Sequence, residues 1–303
     1  KSLLAAIPRP DQRGQRLVLS PEDARTSLAA PPVVQGNAPI LRFEDITVRY
    51  KRPDGGTVDA AKNVSLSLHR GEILGLVGES GSGKSTVAKT AVGLAPLSSG
   101  EVRLKGAALD WTRPKMAWRR EVQYIFQDPR GALDPAARVL RQVRLPLDIH
   151  KVGTRPERDV RARDILAETR LDENLFHRKP SALSGGQRQR ATIARALALQ
   201  PEVLICDESI SALDVSIQAR VLNLLMDLRE KFGIAILFIS HDLGVIHHLC
   251  DRVAVMHGGQ VVEKGETGQL FTAPQHDYTR KLLSAIPLLP ATAGTGALLG
   301  EPA

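Results

Sequence analysis

Four short runs carry the residues best suited to chemistry. Gly78-Glu79-Ser80-Gly81-Ser82-Gly83-Lys84-Ser85-Thr86 fits the spacing G-x4-G-K-[ST]. Glycines in that pattern let the backbone curl until successive N–H groups point at phosphate oxygens. Lys84 can then reach β- and γ-phosphates, and the Ser85 hydroxyl can serve a magnesium ion. Asp207-Glu208 closes an apolar run, Val203 to Cys206. One carboxylate there can hold the magnesium shell, while the other orients and deprotonates a water, help typically worth about 10² to 10⁴ in rate. By themselves the two acids read more readily as a solvated strand end; beside a phosphate loop the chemical role is favoured. Ser240-His241-Asp242 closes a further apolar run, Ile234 to Ile239, and His241 can hydrogen-bond a γ-phosphate. Finally, Ser184-Gly185-Gly186-Gln187 places a hydroxyl and two glycines at the start of a helical pattern, a second anion-binding arrangement.

These runs need strands and helices to hold them. Glu72 to Val77 is a short apolar strand that enters the phosphate loop, and a helix follows from Gly83 towards Leu94, adding the positive end of its dipole. Val203–Cys206 and Ile234–Ile239 have the length and composition of buried strands. Leu41, Phe43 and Ile46 begin strand-like material, and Val64 to Leu68 alternates apolar with polar residues. Helices are expected over 156–176, Gln187–Leu199 and Ile217–Lys231, and Gly258-Gly259 between two valine pairs signals a hairpin. Buried strands alternating with helices predict an α/β sheet with a helical insertion.

Composition bounds the class. The chain has 303 residues, 43% hydrophobic and 24% charged, as an ordinary globular protein does. No apolar run approaches the roughly 18 to 20 residues of a membrane-spanning helix. Leu3 to Ile7 is shorter than the roughly 7 to 15 apolar residues of a signal peptide. Cys206 and Cys250 lie far apart and lack metal-ligand spacing, so both are expected as buried small hydrophobes. The net charge of +8 could mark a nucleic-acid groove. The arginines between Arg138 and Arg178 are scattered, however, which suits a solvated basic surface. His247 and His248 fall on a helical pattern and are expected to be surface or packing residues.

Residues 9–39 are rich in proline, alanine and polar side chains and are expected to form an extended linker. Before it, Lys1-Ser2-Leu3-Leu4-Ala5-Ala6-Ile7-Pro8 matches Arg280-Lys281-Leu282-Leu283-Ser284-Ala285-Ile286-Pro287 in register. The copies are one whole domain apart, so residues 1–8 are expected to be the tail of a preceding domain of the same kind. The first residue, Lys1, fits a piece of a longer chain.

Taken with Leu183 and the following Arg188-Gln189-Arg190, the Ser184 run resembles the signature of ABC transporter ATPases. Phe126-Gln127-Asp128-Pro129 resembles that family's Q-loop, and Ser211-Ala212-Leu213-Asp214 its D-loop. Gly78–Gly83, Cys206-Asp207-Glu208 and the tail His276-Asp277-Tyr278-Thr279-Arg280 are similar to the oligopeptide/dipeptide importers. Two positions depart from the pattern: Asp277 where proline is usual, and Ser209 where proline commonly follows the catalytic glutamate.

The resemblance implies a P-loop NTPase (RecA-like) core with an antiparallel β-subdomain and a helical subdomain. The resemblance runs from about Ile40 to Pro287 and implies a nucleotide-binding domain at 40–274, its helical part at about 130–183, with an oligopeptide-type tail at 275–290 and a flexible terminus at 291–303. It implies ATP and Mg²⁺ as ligands. Glu208, His241 and Gln127 would be catalytic; Ser85, Gln127 and Asp207 would serve the metal. Tyr50 would stack on adenine, such stacking contributing on the order of 0.5 to 1.5 kcal/mol beyond area burial. Residues Gly78 to Thr86 would hold phosphate, and Ser184, Gly185, Gly186, Gln187 and Asp214 would meet the nucleotide of a facing domain. Implied partners are a second ABC ATPase domain fused upstream, two transmembrane permease subunits and an extracytoplasmic solute-binding protein, with no nucleic acid. The implied location is peripheral, at the cytoplasmic face of a bacterial membrane. The implied task is powering import of di- or oligopeptides. Rivals are import of another solute such as nickel, an exporter ATPase, and a soluble ABC ATPase acting on nucleic acid. The last usually carries coiled-coil or zinc-bearing insertions, and neither heptads nor cysteine clusters occur in this sequence.

Overall fold

The computed structural model describes residues 8, 13–17, 38–110, 118–210 and 214–285. The first copy of the octamer repeat (1–7), Ser211 to Leu213 of the expected D-loop and the terminus 291–303 lie outside the described residues.

Two sheets organise the chain. β1 (Leu41–Lys51) and β2 (Thr57–Leu68) pair antiparallel, joined by β4 (Ser99–Leu104) and β5 (Ala107–Ala108) in the order β2-β1-β4-β5. On β1, Leu41 and Phe43 and then Ile46 and Val48 are buried, two alternating stretches of a half-buried strand offset by an irregularity at Asp45, whose φ is 47°. The second sheet runs β10-β9-β3-β8-β7-β6. Its strands are β3 (Ile73–Val77), β6 (Val122–Ile125), β7 (Val203–Asp207), β8 (Ala235–Ile239), β9 (Arg252–His257) and β10 (Gln260–Glu266). All of it is parallel except the β9–β10 hairpin. Every residue of β3, β7 and β8 is buried, as befits strands covered on both faces.

The helices are α1 (Lys84–Thr90), α2 (Trp118–Glu121), α3 (Pro129–Ala132), α4 (Val139–Ile149), α5 (Arg155–Glu168), α6 (Gly185–Leu197), α7 (Val215–Phe232), α8 (Leu243–Leu249), α9 (Thr267–Thr272) and α10 (Asp277–Ser284). Strand residues alternate between two apolar clusters. Ile73, Leu204, Cys206 and Phe238 pack with α4 to α8, whereas Leu74, Ile205, Leu237 and Ile239 pack with α1 and the antiparallel sheet. The parallel sheet is therefore a middle layer. Burial of each such Leu, Ile or Phe stabilises the layer by about 1.5–3 kcal/mol. Because β3, β6, β7 and β8 run parallel, their C-terminal ends open on one edge.

Several boundaries differ from the sequence expectation for local reasons. The helix after the phosphate loop stops at Thr90 rather than near Leu94, where Gly93 turns the chain with φ 69°. The helix expected over 156–176 ends at Glu168, because Arg170 adopts a left-handed φ of 55°; a separate 3₁₀ turn covers Glu173–Leu175. The Gly258-Gly259 pair has φ of 55° and 83°, the two positive values that a type I′ turn needs, and it joins β9 to β10.

Part of the expected linker is docked. Arg16 lies between Asp227 (2.7 Å) and Glu230 (2.5 Å) of α7, and Leu17 is buried with its N–H donating to Asn223 Oδ1 at 2.9 Å. Some of the scattered basic residues are paired within the fold. Arg144 bridges Asp148 and Asp159, and Arg158 reaches Asp148 as well, tying α4 to α5. Both cysteines are buried, and burial pushes the Cys206 thiol up to about 12. His248 is buried and His247 stacks on Phe271 with ring centroids 4.7 Å apart, so both are packing residues.

Candidate functional site

β3 ends at Val77, and the chain curls through Gly78 to Gly83 before α1 begins at Lys84. Gly83 has a φ of 101°, and a Cβ there would lie 2.2 Å from the Ala60 carbonyl oxygen, so only glycine fits. Glu79, Ser80 and Gly81 are exposed on the loop; Ser82 is buried, and Thr86 is half-buried in the first turn of α1. The Lys84 side chain, 4% exposed, folds under the loop. Its ammonium donates to the carbonyls of Gly78 and Glu79, both at 2.8 Å. Burial pushes the Lys84 pKa down, and the charges of Glu208 and Asp207 pull it back. A buried cation beside curled backbone amides suits a polyanion.

The acidic strand end meets this loop directly. Ser85 donates its hydroxyl to Asp207 Oδ1 at 2.7 Å. Tyr124 of β6 donates to the other oxygen, Oδ2, at 2.6 Å. Asp207 is 5% exposed, so its carboxylate is fixed at both oxygens inside the sheet edge. The contact also suppresses ionisation of Tyr124, whose pKa burial pushes well above its ordinary value.

Glu208 follows with φ 44°, a left-handed conformation that costs on the order of 1–3 kcal/mol for a non-glycine residue. Its amide donates to the Ile239 carbonyl at 3.0 Å. That strained turn directs the carboxylate away from the sheet, where Gln127 Nε2 donates to Glu208 Oε2 at 2.8 Å. His241 Nδ1 stands 3.7 Å from the same oxygen. Three sequence runs thus converge: Gln127 after β6, Glu208 after β7 and His241 after β8. Ser209, the departure from proline, is buried.

The oxygen-donor set of Ser85, Asp207 and Gln127 suits a hard cation such as magnesium, which is bound through one or two protein carboxylates plus phosphate oxygens. Among the described residues no cluster of three or more His, Cys, Asp or Glu could hold a metal by itself. The residues present therefore fit a magnesium–phosphate pair rather than a dedicated metal cage.

The remaining candidate residues sit elsewhere. Ser184 caps α6 in a reciprocal box: Gln187 N donates to Ser184 Oγ at 3.3 Å and Ser184 N donates to Gln187 Oε1 at 2.9 Å. Ser184 and Gly185 are exposed; Gly186 is buried, its missing Cβ leaving room for Ile217. Among the described residues no hydrogen bond joins this turn to the phosphate loop. Asp214 caps α7 through its carbonyl, which accepts from Ile217 and Gln218, and its side chain is exposed. Tyr50, 36% exposed, lies near the end of β1. These residues form surfaces that a second molecule could complete. Two residues that no local sequence signal marks also join the site: Tyr124 on Asp207, and Tyr278, whose hydroxyl accepts from the Glu79 amide at 3.0 Å. The tail motif contained Tyr278, but nothing local tied it to the loop.

The chain is similar to known proteins over most of its length. The ABC transporter family profile matches residues 61–211, and that of the oligopeptide/dipeptide transporter C-terminal region matches 262–302. A Brucella abortus protein named as a peptide import ATP-binding protein is 44% identical over 274 residues, covering 88% of this chain and 82% of its own. The Escherichia coli glutathione import ATP-binding protein GsiA is 45% identical over 273 residues, but this chain spans only 44% of its length. Among solved structures, cbiO1 of Clostridium perfringens superposes with a TM-score of 0.70 at 30% identity, covering 78% of this chain and 92% of that one. The ABC transporter cassette MJ0796 in its ADP- and Pi-bound dimer gives 0.66 at 32% identity, with 75% and 98% covered.

Proposed function

Because the chain belongs to the ABC transporter ATP-binding family, we propose that it is the ATP-hydrolysing subunit of an importer of di- or oligopeptides. The ATPase part rests above all on one observation: the Ser85–Asp207 hydrogen bond of 2.7 Å, which joins the phosphate loop to the acidic end of β7. Peptide as cargo is supported by the C-terminal region match and by the names of the relatives.

In this account the backbone amides of Gly78 to Thr86 and the Lys84 ammonium grip the β- and γ-phosphates. Ser85, Asp207 and Gln127 would hold magnesium, which when bound neutralises charge on those phosphates. Glu208 accepts the proton of the attacking water as its oxygen bonds the γ-phosphorus and the bond to the β-phosphate oxygen breaks. Gln127 holds Glu208 and that water in line, and His241 donates to the γ-phosphate. Tyr50 stacks on adenine. The exposed Ser184–Gln187 turn and Asp214 act in trans, on the nucleotide of a facing ATPase domain, so that two domains sandwich two nucleotides. Binding energy released on closure moves two permease subunits that receive cargo from a solute-binding protein. Among the described residues no helix is long and apolar enough to cross a membrane, so attachment at the cytoplasmic face would come through the permeases. The octamer repeat supports fusion to a second such domain upstream.

Substituting Lys84→Ala tests the site. Mg-ATP binding, read by titration calorimetry, is expected to disappear while the fold survives; normal binding and hydrolysis by this variant would refute the assignment.

A further inference from the structure

The C-terminal helix α10 is remote in sequence from the phosphate loop, yet one of its side chains is built into it. Tyr278 is 9% exposed, and its hydroxyl oxygen accepts the Glu79 N–H at 3.0 Å. The ring is held by His257 at the end of β9, with centroids 4.0 Å apart. The helix start is tied down as well. His276 Nδ1 accepts from the Tyr278 amide at 3.1 Å, and Glu263 of β10 accepts from the amides of Gln275 (2.8 Å) and His276 (3.0 Å).

The Glu79 N–H and the Gly78 carbonyl are the two ends of one peptide unit. That carbonyl accepts the Lys84 ammonium at 2.8 Å. The peptide plane is therefore pinned at both ends, in the series hydroxyl, amide, carbonyl, ammonium. Hydrogen bonds in such a chain polarise and orient one another. With the hydroxyl gone, the plane can rotate about its flanking bonds, and the Gly78 carbonyl loses its fixed aim at Lys84.

We propose that Tyr278 is a positioning residue for nucleotide binding, fixing the Gly78–Glu79 peptide and through it the Lys84 ammonium. The C-terminal region is then a brace of the phosphate loop as well as an appendage of the domain. The inference deepens the ATPase assignment and rests on it.

The test compares the wild-type chain, Tyr278→Phe and Tyr278→Ala by calorimetric Kd for Mg-ATP, steady-state KM and kcat, and Tm. Tyr278→Phe keeps the ring and removes one hydrogen bond. It is expected to raise Kd and KM about three- to tenfold with kcat within about twofold, the pattern of lost uniform binding. Its Tm should stay near wild type, whereas Tyr278→Ala should lose both stability and affinity. A merely structural ring would place the whole effect in Tyr278→Ala and none in Tyr278→Phe, which would overturn the proposal. Should Tyr278→Phe fold poorly, amide exchange of Glu79 in the nucleotide-free wild type decides: slowed exchange is expected, and exchange at the rate of an unstructured peptide would overturn it. Wild-type protein that fails to bind Mg-ATP would instead defeat the underlying ATPase assignment.

Discussion

Replacing Tyr124 by phenylalanine isolates one strut of the site. The change removes the hydroxyl that donates to Asp207 Oδ2 at 2.6 Å and keeps the ring, which packs on Phe126 at a centroid distance of 4.7 Å. A hydrogen bond to a charged group is worth about 1.5–3 kcal/mol. The lower figure applies here, because Ser85 still donates to the other carboxylate oxygen and Lys84 lies close enough to interact with the charge. A loss of about 1.5 kcal/mol corresponds to a fall in Tm of roughly 3–6 °C for a domain of this size. The functional consequence is sharper. An Asp207 carboxylate held at one oxygen can swivel, and loss of such outer partners typically weakens metal affinity about 10–100-fold. Measured as ATPase rate against Mg²⁺ concentration at saturating ATP, the half-saturation point is expected to rise about tenfold, with little change in the rate at saturating Mg²⁺. An unchanged Tm together with an unchanged Mg²⁺ dependence would refute the role given to Asp207 and its two hydroxyl partners.

Two further outcomes follow from the geometry. Gly83→Ala forces a Cβ to 2.2 Å from the Ala60 carbonyl at a φ of 101°, so the loop must open; nucleotide binding should be lost in calorimetry, with a destabilisation above about 2 kcal/mol in denaturant titration. Asp148 is opposed by burial, but Arg144 and Arg158 outweigh it and hold its pKa below 3.8. A depressed carboxylate contributes stability that is fully present above pH 3.8 and is lost as pH falls through the folded value. Asp148→Asn should therefore melt below wild type at neutral pH, by no more than about 1 kcal/mol given its partial exposure, and the gap should close in acid.

The sequence disclosed the phosphate loop, Asp207–Glu208 and His241 because each terminates a short apolar run, and a strand end in a parallel sheet is a place fixed by pattern alone. The central strands β3, β7 and β8 were legible for the same reason. β4, β5 and β6 were not, since they are short or carry no clean period; α4 has a helical apolar stripe at Val139, Leu140, Val143 and Leu147, but Pro146 inside it argues against a helix. Tyr124 and Tyr278 escaped because their partners lie 83 and 199 residues away, and tertiary pairing leaves no local mark. The docking of Arg16 and Leu17 on α7 was hidden likewise: proline-rich flanks suggested a linker, while the acids that receive Arg16 stand more than 200 residues downstream. The left-handed φ of Glu208 was invisible too, because nothing in its type demands it.

The central claim is that Glu208 activates the attacking water at a site assembled by Lys84, Ser85 and Asp207. Its most direct test is steady-state ATPase of Glu208→Gln, with bound nucleotide quantified in the same sample. The glutamine keeps an oxygen for Gln127 and cannot take a proton. The expected result is intact Mg-ATP, stoichiometrically retained, with turnover reduced about 10²- to 10⁴-fold. Turnover close to that of the wild-type chain would contradict the account.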